Sequence, residues 1–144
     1  MPLKPGNYLI FDEKSGSLIG RRRAEDLSLN PKAIVKHATP IPPDDATWRV
    51  QEVNGNTCNL AIGNSPYTSP IDDLVWAILK KGDPIPEGWN IEPVAGKPNR
   101  YIILTNDKRS AWDVPELNED AQIKCLPLGV KASVFQFVYM GPEN

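Results

Sequence analysis

Three segments of this chain repeat one pattern, and this repeat constrains the fold more than any other sequence feature. They are residues 47–53 (TWRVQEV), 88–94 (GWNIEPV) and 134–140 (VFQFVYM). In each segment an aromatic residue is followed two positions later by an apolar one, which indicates a strand with one buried face. A recurrence at about 40 residues indicates a fold built from equal units. We predict units over residues 7–53, 57–94 and 99–140, with Trp48, Trp89 and Phe135 at equivalent buried positions.

Proline and glycine exclude a helical fold. The chain has 15 prolines and 10 glycines among 144 residues, and a proline inside a helix costs about 3 kcal/mol. Each unit then holds about four strands. An open sheet of that size would leave unpaired edges, whereas a barrel capped by hairpins closes on itself. We predict an all-β fold, a β-trefoil with three pseudo-repeats of four strands, as a single domain over residues 1–144. A β-sandwich or a Greek-key barrel would not call for a threefold pattern.

Charge and hydropathy argue against several partners. The net charge is −2, which gives no basic field for nucleic acid. No apolar run approaches the roughly 18 residues of a membrane helix. The N-terminus lacks the apolar core of a secretory signal, so we expect a cytoplasmic protein with no membrane partner. Cys58 and Cys125 lie in apolar, strand-like runs and are expected to be buried free thiols. The alternative is one disulfide between them, which would require a leader that has been removed.

The single histidine, His37, weakens any enzymatic interpretation. Histidine-dependent nucleophilic catalysis would rest on it alone, and most metal sites use several His or Cys ligands. His37 follows the apolar run AIV at 33–35, which favours a hydrogen-bonded histidine at a strand edge over a catalytic base. We expect no catalytic residue, no cofactor and no metal, and therefore a protein that is not an enzyme.

A long connection between two apolar, strand-like runs covers residues 20–35, GRRRAEDLSLNPKAIV. Long connections inside compact domains are usually functional or disordered. This one contains three arginines, a lysine, a proline and two leucines, so we interpret it as a semi-rigid, exposed loop that presents cationic and apolar side chains. The alternative is a solvated loop with a basic edge.

Such a loop fits a protease inhibitor that binds as a tight, slow substrate. The inhibitor needs an exposed, preorganised loop and a P1 side chain that matches the S1 pocket of the enzyme. Trypsin-like S1 pockets contain a carboxylate and select Lys or Arg. The bonds with a small residue after the cation are Arg23–Ala24, Lys32–Ala33 and Lys131–Ala132.

Among these P1 candidates we rank Lys32 first, because Pro31 stiffens the chain before it, and Arg23 second. Lys131, on a separate loop, ranks behind the 20–35 loop. Leu27, at mid-loop, would suit the apolar pocket of a chymotrypsin-like enzyme. The flanking loop residues are Ala24, Ser28, Asn30, Pro31, Ala33 and Ala132.

The threefold pattern, the missing leader and the long loop after the second strand resemble the β-trefoil serine protease inhibitors of mushrooms, the group that includes cospin and cnispin. The resemblance covers the whole chain. It implies trypsin inhibition through an Arg or Lys on the loop between the second and third strands, or on the loop between the eleventh and twelfth. It also implies a fungal, cytosolic protein, here expected to be monomeric, that serves in defence or regulation.

Two alternatives differ in their partner. A β-trefoil lectin would bind glycans, but the Gln-x-Trp motif of such lectins is absent, because the residues two positions before the repeated aromatics are Ala46, Glu87 and Ser133. A mycocypin-like inhibitor would block cysteine proteases through different loops.

Overall fold

The computed structural model describes residues 3–55, 57–80, 87–129 and 132–143. Strands dominate these residues, and their helical content is one 3₁₀ turn at Pro43–Ala46. No helix in these ranges is long and apolar enough to cross a membrane. The strands are β1 (Gly6–Asp12), β2 (Ile19–Arg21), β3 (Lys32–Lys36), β4 (Trp48–Glu52), β5 (Cys58–Ile62), β6 (Tyr67–Ile71), β7 (Leu74–Ile78), β8 (Asn90–Pro93), β9 (Arg100–Leu104), β10 (Ser110–Asp113), β11 (Ala121–Gln122), β12 (Lys124–Pro127) and β13 (Phe135–Gly141).

Six strands form a closed ring of antiparallel pairs. β1 pairs with β4, β4 with β5, β8 with β9, β9 with β13, and β13 with β1. The join between β5 and β8 consists of two backbone hydrogen bonds between Cys58 and Trp89, of 2.9 and 2.7 Å. Closure gives each strand of this barrel a neighbour on both sides, which removes the open edges that an extended sheet would have.

The remaining strands build a cap from three hairpins. These are β2–β3, β6–β7 and β10–β12, and the hairpins are joined by the pairs β3–β7, β7–β12 and β3–β11. Ile123 lies between β11 and β12 and is fully buried. Its N–H donates to Ile34 O at 2.9 Å and its carbonyl accepts from Val75 N at 3.0 Å. β11 and β12 are therefore two parts of one extended segment, of which the first pairs with β3 and the second with β7.

The aromatic residues that mark the repeat pack around a fourth aromatic, Trp112. Their ring centroids lie 6.1 Å (Trp48), 5.3 Å (Trp89) and 5.9 Å (Phe135) from that of Trp112. All four side chains are buried, and the three from the repeat stand at the start of β4, directly before β8 and at the start of β13. Their equivalent positions, together with the barrel and the cap, confirm the predicted β-trefoil.

Both cysteines are buried and neither forms a disulfide, as the sequence predicts. Burial raises the pKa of the Cys58 thiol and of the Cys125 thiol to about 11. The thiolate is the reactive form of cysteine, so both the access and the ionisation of these groups are suppressed in the folded protein.

We predict that Trp112→Ala destabilises the protein far more than Trp76→Ala. Removing a buried aromatic side chain costs about 3–5 kcal/mol, and Trp112 is fully buried whereas Trp76, on the cap strand β7, is half-buried. Urea unfolding followed by circular dichroism measures both losses. Equal losses would contradict a central role for Trp112.

We also predict that a thiol reagent labels neither cysteine in the native protein and labels both after denaturation. Because the thiol pKa values are raised, raising the pH from 7 to 9 should leave the native protein unlabelled. Mass spectrometry counts the adducts, and a disulfide between residues 58 and 125 would contradict this expectation.

Candidate functional site

The connection between β2 and β3 projects from the cap as a loop of residues 22–31, all of them exposed. Its two ends are held close together by the antiparallel pairing of β2 with β3, in which Arg21 lies opposite Ile34. A further backbone hydrogen bond runs from Arg22 N to Ala33 O at 3.2 Å. The loop therefore begins and ends on a paired stem, which fixes its position on the scaffold.

Two leucines of this loop have exposed side chains. Leu27 has a relative accessibility of 102% and Leu29 one of 59%. A single exposed leucine is ordinary, but two on one short loop expose apolar surface that a partner protein could cover. Along the chain, the two leucines alternate with the polar residues Asp26, Ser28 and Asn30, and the arginines of the loop come before them, at positions 22 and 23.

The backbone beside Leu27 is held by a turn that Asp26 and Ser28 form with each other. The amide of Ser28 donates to Asp26 Oδ1 at 3.0 Å, and the Ser28 hydroxyl donates to the same oxygen at 2.5 Å. Ser28 Oγ also accepts from the amide of Asn30 at 3.2 Å. Short polar side chains commonly fix turns in this way, and here the bonds lie on both sides of Leu27.

A third residue, Lys32, joins this turn from the base of the loop. Its ammonium donates to the carbonyl oxygen of Asp26 at 3.1 Å, to Ser28 Oγ at 3.3 Å and to Asp26 Oδ1. Lys32 is only 5% exposed, so these acceptors replace the water that a buried ammonium loses.

The burial of Lys32 corrects the expectation that this residue is the exposed cation of the loop. Lys32 begins β3, where it lies opposite Ala77, and the next residue, Ala33, lies opposite Trp76. The Lys32–Ala33 bond is thus part of a paired strand. Alternation explains the inward direction of the side chain, because residues two apart share a strand face and Ile34 belongs to the core.

The hydrogen bonds around Asp26 change its ionisation. The bond from Lys32 first, and then those from Ser28, lower the pKa of Asp26 to about 2 from its usual 3.8. Hydrogen bonds to the ionised form of a carboxyl group produce this direction of shift. Asp26 therefore stays ionised, and keeps its acceptor role, at any pH where proteases are normally assayed.

Ion pairs brace the stem side of the loop. Arg21 donates to both carboxylate oxygens of Glu25, at 3.0 and 2.7 Å, and to Asn64 Oδ1 on a neighbouring loop. Arg23, a predicted P1 residue, lies 3.6 Å from Asp45 with about half of its side chain exposed. Bidentate pairs such as Arg21–Glu25 fix geometry better than single contacts do, whereas the exposed Arg23–Asp45 pair holds its arginine only weakly.

The single histidine also lies at this stem. His37 is buried, its Nε2 lies 2.9 Å from Arg21 O, and its Nδ1 lies 3.8 Å from Asp120 Oδ2. It is the hydrogen-bonded strand-edge residue that the sequence predicts. Among the described residues, no group of three or more His, Cys, Asp or Glu could hold a metal ion.

The structure places the other predicted site residues in several environments. Ala24, Asn30 and Pro31 are exposed on the loop, and Ala33 is half-buried in β3. Lys131 lies outside the described residues, and Ala132 beside it is half-buried. Because Lys131 is not among the described residues, its role as an alternative P1 residue stays a prediction.

Sequence reasoning missed the residues that support the loop, namely Asp26, Arg21, Glu25 and Asn64. The spacing Asp-x-Ser at 26–28 is a turn signal. Counting back by two from the apolar Ile34 would have placed Lys32 on the core face. Asn64 is distant in sequence and gives no such signal.

Comparison with known proteins assigns the family. The family described as peptidase inhibitor I66 matches residues 1–139. A serine protease inhibitor of Lentinula edodes is 34% identical over 116 residues, which cover 79% of this chain and 76% of that protein. The chain belongs to the peptidase inhibitor I66 family, and the resemblance seen in the sequence is confirmed.

Solved structures with this fold include both inhibitors and lectins. A proteinase inhibitor from Coprinopsis cinerea matches with a TM-score of 0.78 at 24% identity, over 96% of this chain and 99% of that one. A ricin B-like lectin of Macrolepiota procera in complex with lactose matches with a TM-score of 0.72 at 15% identity, over 97% and 100%. At these identities the likeness shows the β-trefoil fold alone.

We predict that the Asp26 carboxyl titrates near pH 2 and that Lys32→Met moves its midpoint back towards 3.8. A lowered folded-state pKa means that the Asp26 contacts contribute stability above the unfolded value and lose it as the pH falls towards 2. Carbon-13 NMR of the carboxyl groups measures the midpoint.

Asp107 is the internal control for this titration. Its pKa is also lowered, by the backbone amide of Arg109 and then by the Thr105 hydroxyl, and neither contact involves Lys32. If Lys32→Met moved the two midpoints equally, the shift of Asp26 would not come from the lysine.

Proposed function

We propose that this protein inhibits serine proteases by inserting the loop of residues 22–31 into the active-site cleft as a tight, slow substrate. The observation that carries the proposal is the combination of full exposure at Leu27 with a hydrogen-bonded turn on both sides of it. A loop that is already ordered loses less conformational entropy when it binds. Membership of the peptidase inhibitor I66 family supports the same activity.

In this proposal Leu27 is the P1 residue and enters the S1 pocket of the protease. Ser28 follows Leu27 as a small P1′ residue. Asp26 precedes Leu27, and its carbonyl oxygen already accepts a hydrogen bond from Lys32. The protein catalyses nothing itself: it supplies the bond that is attacked, and the catalytic groups belong to the protease. An interface of standard size, about 1,600 Å² in total, is sufficient for tight binding.

A leucine at P1 selects proteases with an apolar S1 pocket, such as chymotrypsin-like enzymes. Lys32 does not compete for this role, because its ammonium is buried and its bond to Ala33 lies within β3. Arg23 is the second candidate and would direct the loop to trypsin-like enzymes, since its side chain is half exposed and only loosely paired with Asp45. Lys131 stays a prediction for trypsin on a separate loop.

The remaining predictions from the sequence are part of this proposal. A cytoplasmic location fits two buried cysteines that form no disulfide, because the cytosol keeps thiols reduced. The monomeric state and the role in defence are what the resemblance to the mushroom inhibitors implies. The lectin and mycocypin-like alternatives are separated by direct assay, with a panel of chymotrypsin, trypsin and papain beside a glycan array.

We predict that Leu27→Ala weakens inhibition of chymotrypsin about 30-fold, because burying a leucine side chain contributes about 2 kcal/mol. Leu27→Lys should lose chymotrypsin inhibition and gain trypsin inhibition, since a trypsin-like S1 pocket pairs with a cation. Inhibition constants for both enzymes, measured beside thermal unfolding, check these outcomes.

The matched control is Leu29→Ala, which removes the same side chain two residues along the same loop and should cost much less. Arg23→Ala tests the trypsin alternative in the same assays. If only Arg23→Ala weakened inhibition, Leu27 would not be P1. If the unsubstituted protein inhibited no serine protease, the proposed function itself would be wrong.

A further inference from the structure

The groups on the two sides of the Leu27–Ser28 bond are bonded to one buried ammonium. On one side, Asp26 offers its carbonyl oxygen to Lys32 Nζ at 3.1 Å, together with its carboxylate. On the other side, Ser28 offers its hydroxyl oxygen at 3.3 Å. Asp26 Oδ1 also lies 3.0 Å from the backbone nitrogen of Ser28. The candidate scissile bond is therefore spanned by non-covalent contacts that do not pass through it.

The lysine that makes these contacts is itself fixed to the scaffold. Its backbone lies in β3, opposite Ala77 of β7, and its side chain is 6% exposed. Two residues on, Ile34 is fully buried in the core on the same strand face. Lys32 is therefore held by the strand and not by the loop, so it would keep its place if the loop backbone were broken.

We propose that Lys32 is a clamp that keeps the two sides of the Leu27–Ser28 bond together while the bond is cleaved, so that the protease re-forms it. This inference rests on the proposed function. Lys32 is a positioning residue here, since it touches Asp26 and Ser28 and not the atoms that react.

The step itself is ordinary acyl transfer on the protease. The protease serine oxygen adds to the Leu27 carbonyl, and the bond between that carbon and the Ser28 nitrogen breaks. An ester to the protease forms, and the serine proton passes through the protease histidine to the Ser28 amine. In the reverse direction the Ser28 amine attacks the ester, the peptide bond re-forms and the serine recovers its proton.

The clamp acts on the competition between this reverse step and hydrolysis by water. An amine held beside an ester reacts at a high effective concentration, whereas an amine that has diffused away does not. The contacts from Lys32 to Asp26 and Ser28, and from Asp26 Oδ1 to the Ser28 nitrogen, hold the new chain ends together. Re-formation is then faster than hydrolysis, and the protease stays occupied.

A second buried lysine on the same strand provides a matched control. Lys36 ends β3, is 4% exposed, and donates to Pro115 O at 3.0 Å and to Leu117 O. It has the same chemistry, strand and burial as Lys32, but it holds residues 115–117 and not the loop of residues 22–31. A general effect of losing a buried lysine should therefore appear in both variants.

The test compares Lys32→Met with Lys36→Met in the full chain. Each variant and the unsubstituted protein are incubated with a catalytic amount of chymotrypsin, and mass spectrometry follows the ratio of intact chain to chain cleaved at Leu27–Ser28. We expect Lys32→Met to lower the final ratio about tenfold or more, the size expected for losing hydrogen bonds to a charged group, and to turn lasting inhibition into temporary inhibition. Lys36→Met should keep the unsubstituted ratio even where its melting temperature falls.

Asp26→Ala combined with Ser28→Ala keeps the test decisive if Lys32→Met does not fold. Both residues lie on the exposed loop, and their replacement removes the carboxylate and hydroxyl acceptors of Lys32 and leaves only the contact to the Asp26 carbonyl. The backbone pairing of β2 with β3 does not involve these side chains, so the variant should fold and the ratio should fall in the same direction. An unchanged ratio in the variants, an equal fall in Lys32→Met and Lys36→Met, or cleavage at a different bond would overturn the clamp. Absence of any inhibition by the unsubstituted protein would instead overturn the proposed function.

Discussion

The packing of three equivalent aromatic rings against Trp112 is the interaction on which the rest of this structure depends. The three rings come from barrel positions in different units, whereas Trp112 lies on the cap strand β10, so one cluster joins the barrel to the cap. Edge-to-face and tilted contacts of this kind add about 0.5–1.5 kcal/mol per pair to the burial itself. The cap strands β2 and β3 are anchored in the same core through Ile19 and Ile34. The ends of the exposed loop are fixed as a consequence.

Strand β3 carries this rigidity outwards to the surface. Its inward face reads Lys32, Ile34 and Lys36, an apolar centre with a buried lysine at each end. A buried ammonium is costly unless it is hydrogen-bonded, and the long lysine stem allows the charge to reach acceptors at the rim of the core. Each lysine finds these acceptors in an irregular segment, the turn at Asp26 or the carbonyls of residues 115 and 117. The same strand thereby orders a loop at each of its ends.

The loop of residues 22–31 is ordered by polar contacts at its base, which leaves its apolar side chains free for a partner. Leu27 gains nothing from the fold in this position, because it is fully exposed. That arrangement leaves the side chain available to a partner, as the proposed function requires. The β-trefoil occurs in both inhibitors and lectins, so the loops, and not the fold, decide which activity a protein with this fold has.

The sequence by itself determined the fold class. A repeated aromatic followed by period-two alternation can be recognised along the chain without knowing which strands pair with each other. It also located the loop, the buried cysteines and the hydrogen-bonded histidine. The family likewise followed from features that the sequence carries.

Only the tertiary structure decided which loop side chains face outwards. Lys32 and Leu27 both lie in the predicted loop region, yet one is buried and the other fully exposed. The difference arises because Lys32 is the first residue of β3 and lies on the Ile34 face, where its ammonium reaches acceptors on Asp26 and Ser28. Contacts such as Arg21 with Asn64 join distant parts of the chain, and a pattern read along the sequence contains no information on which distant groups will meet.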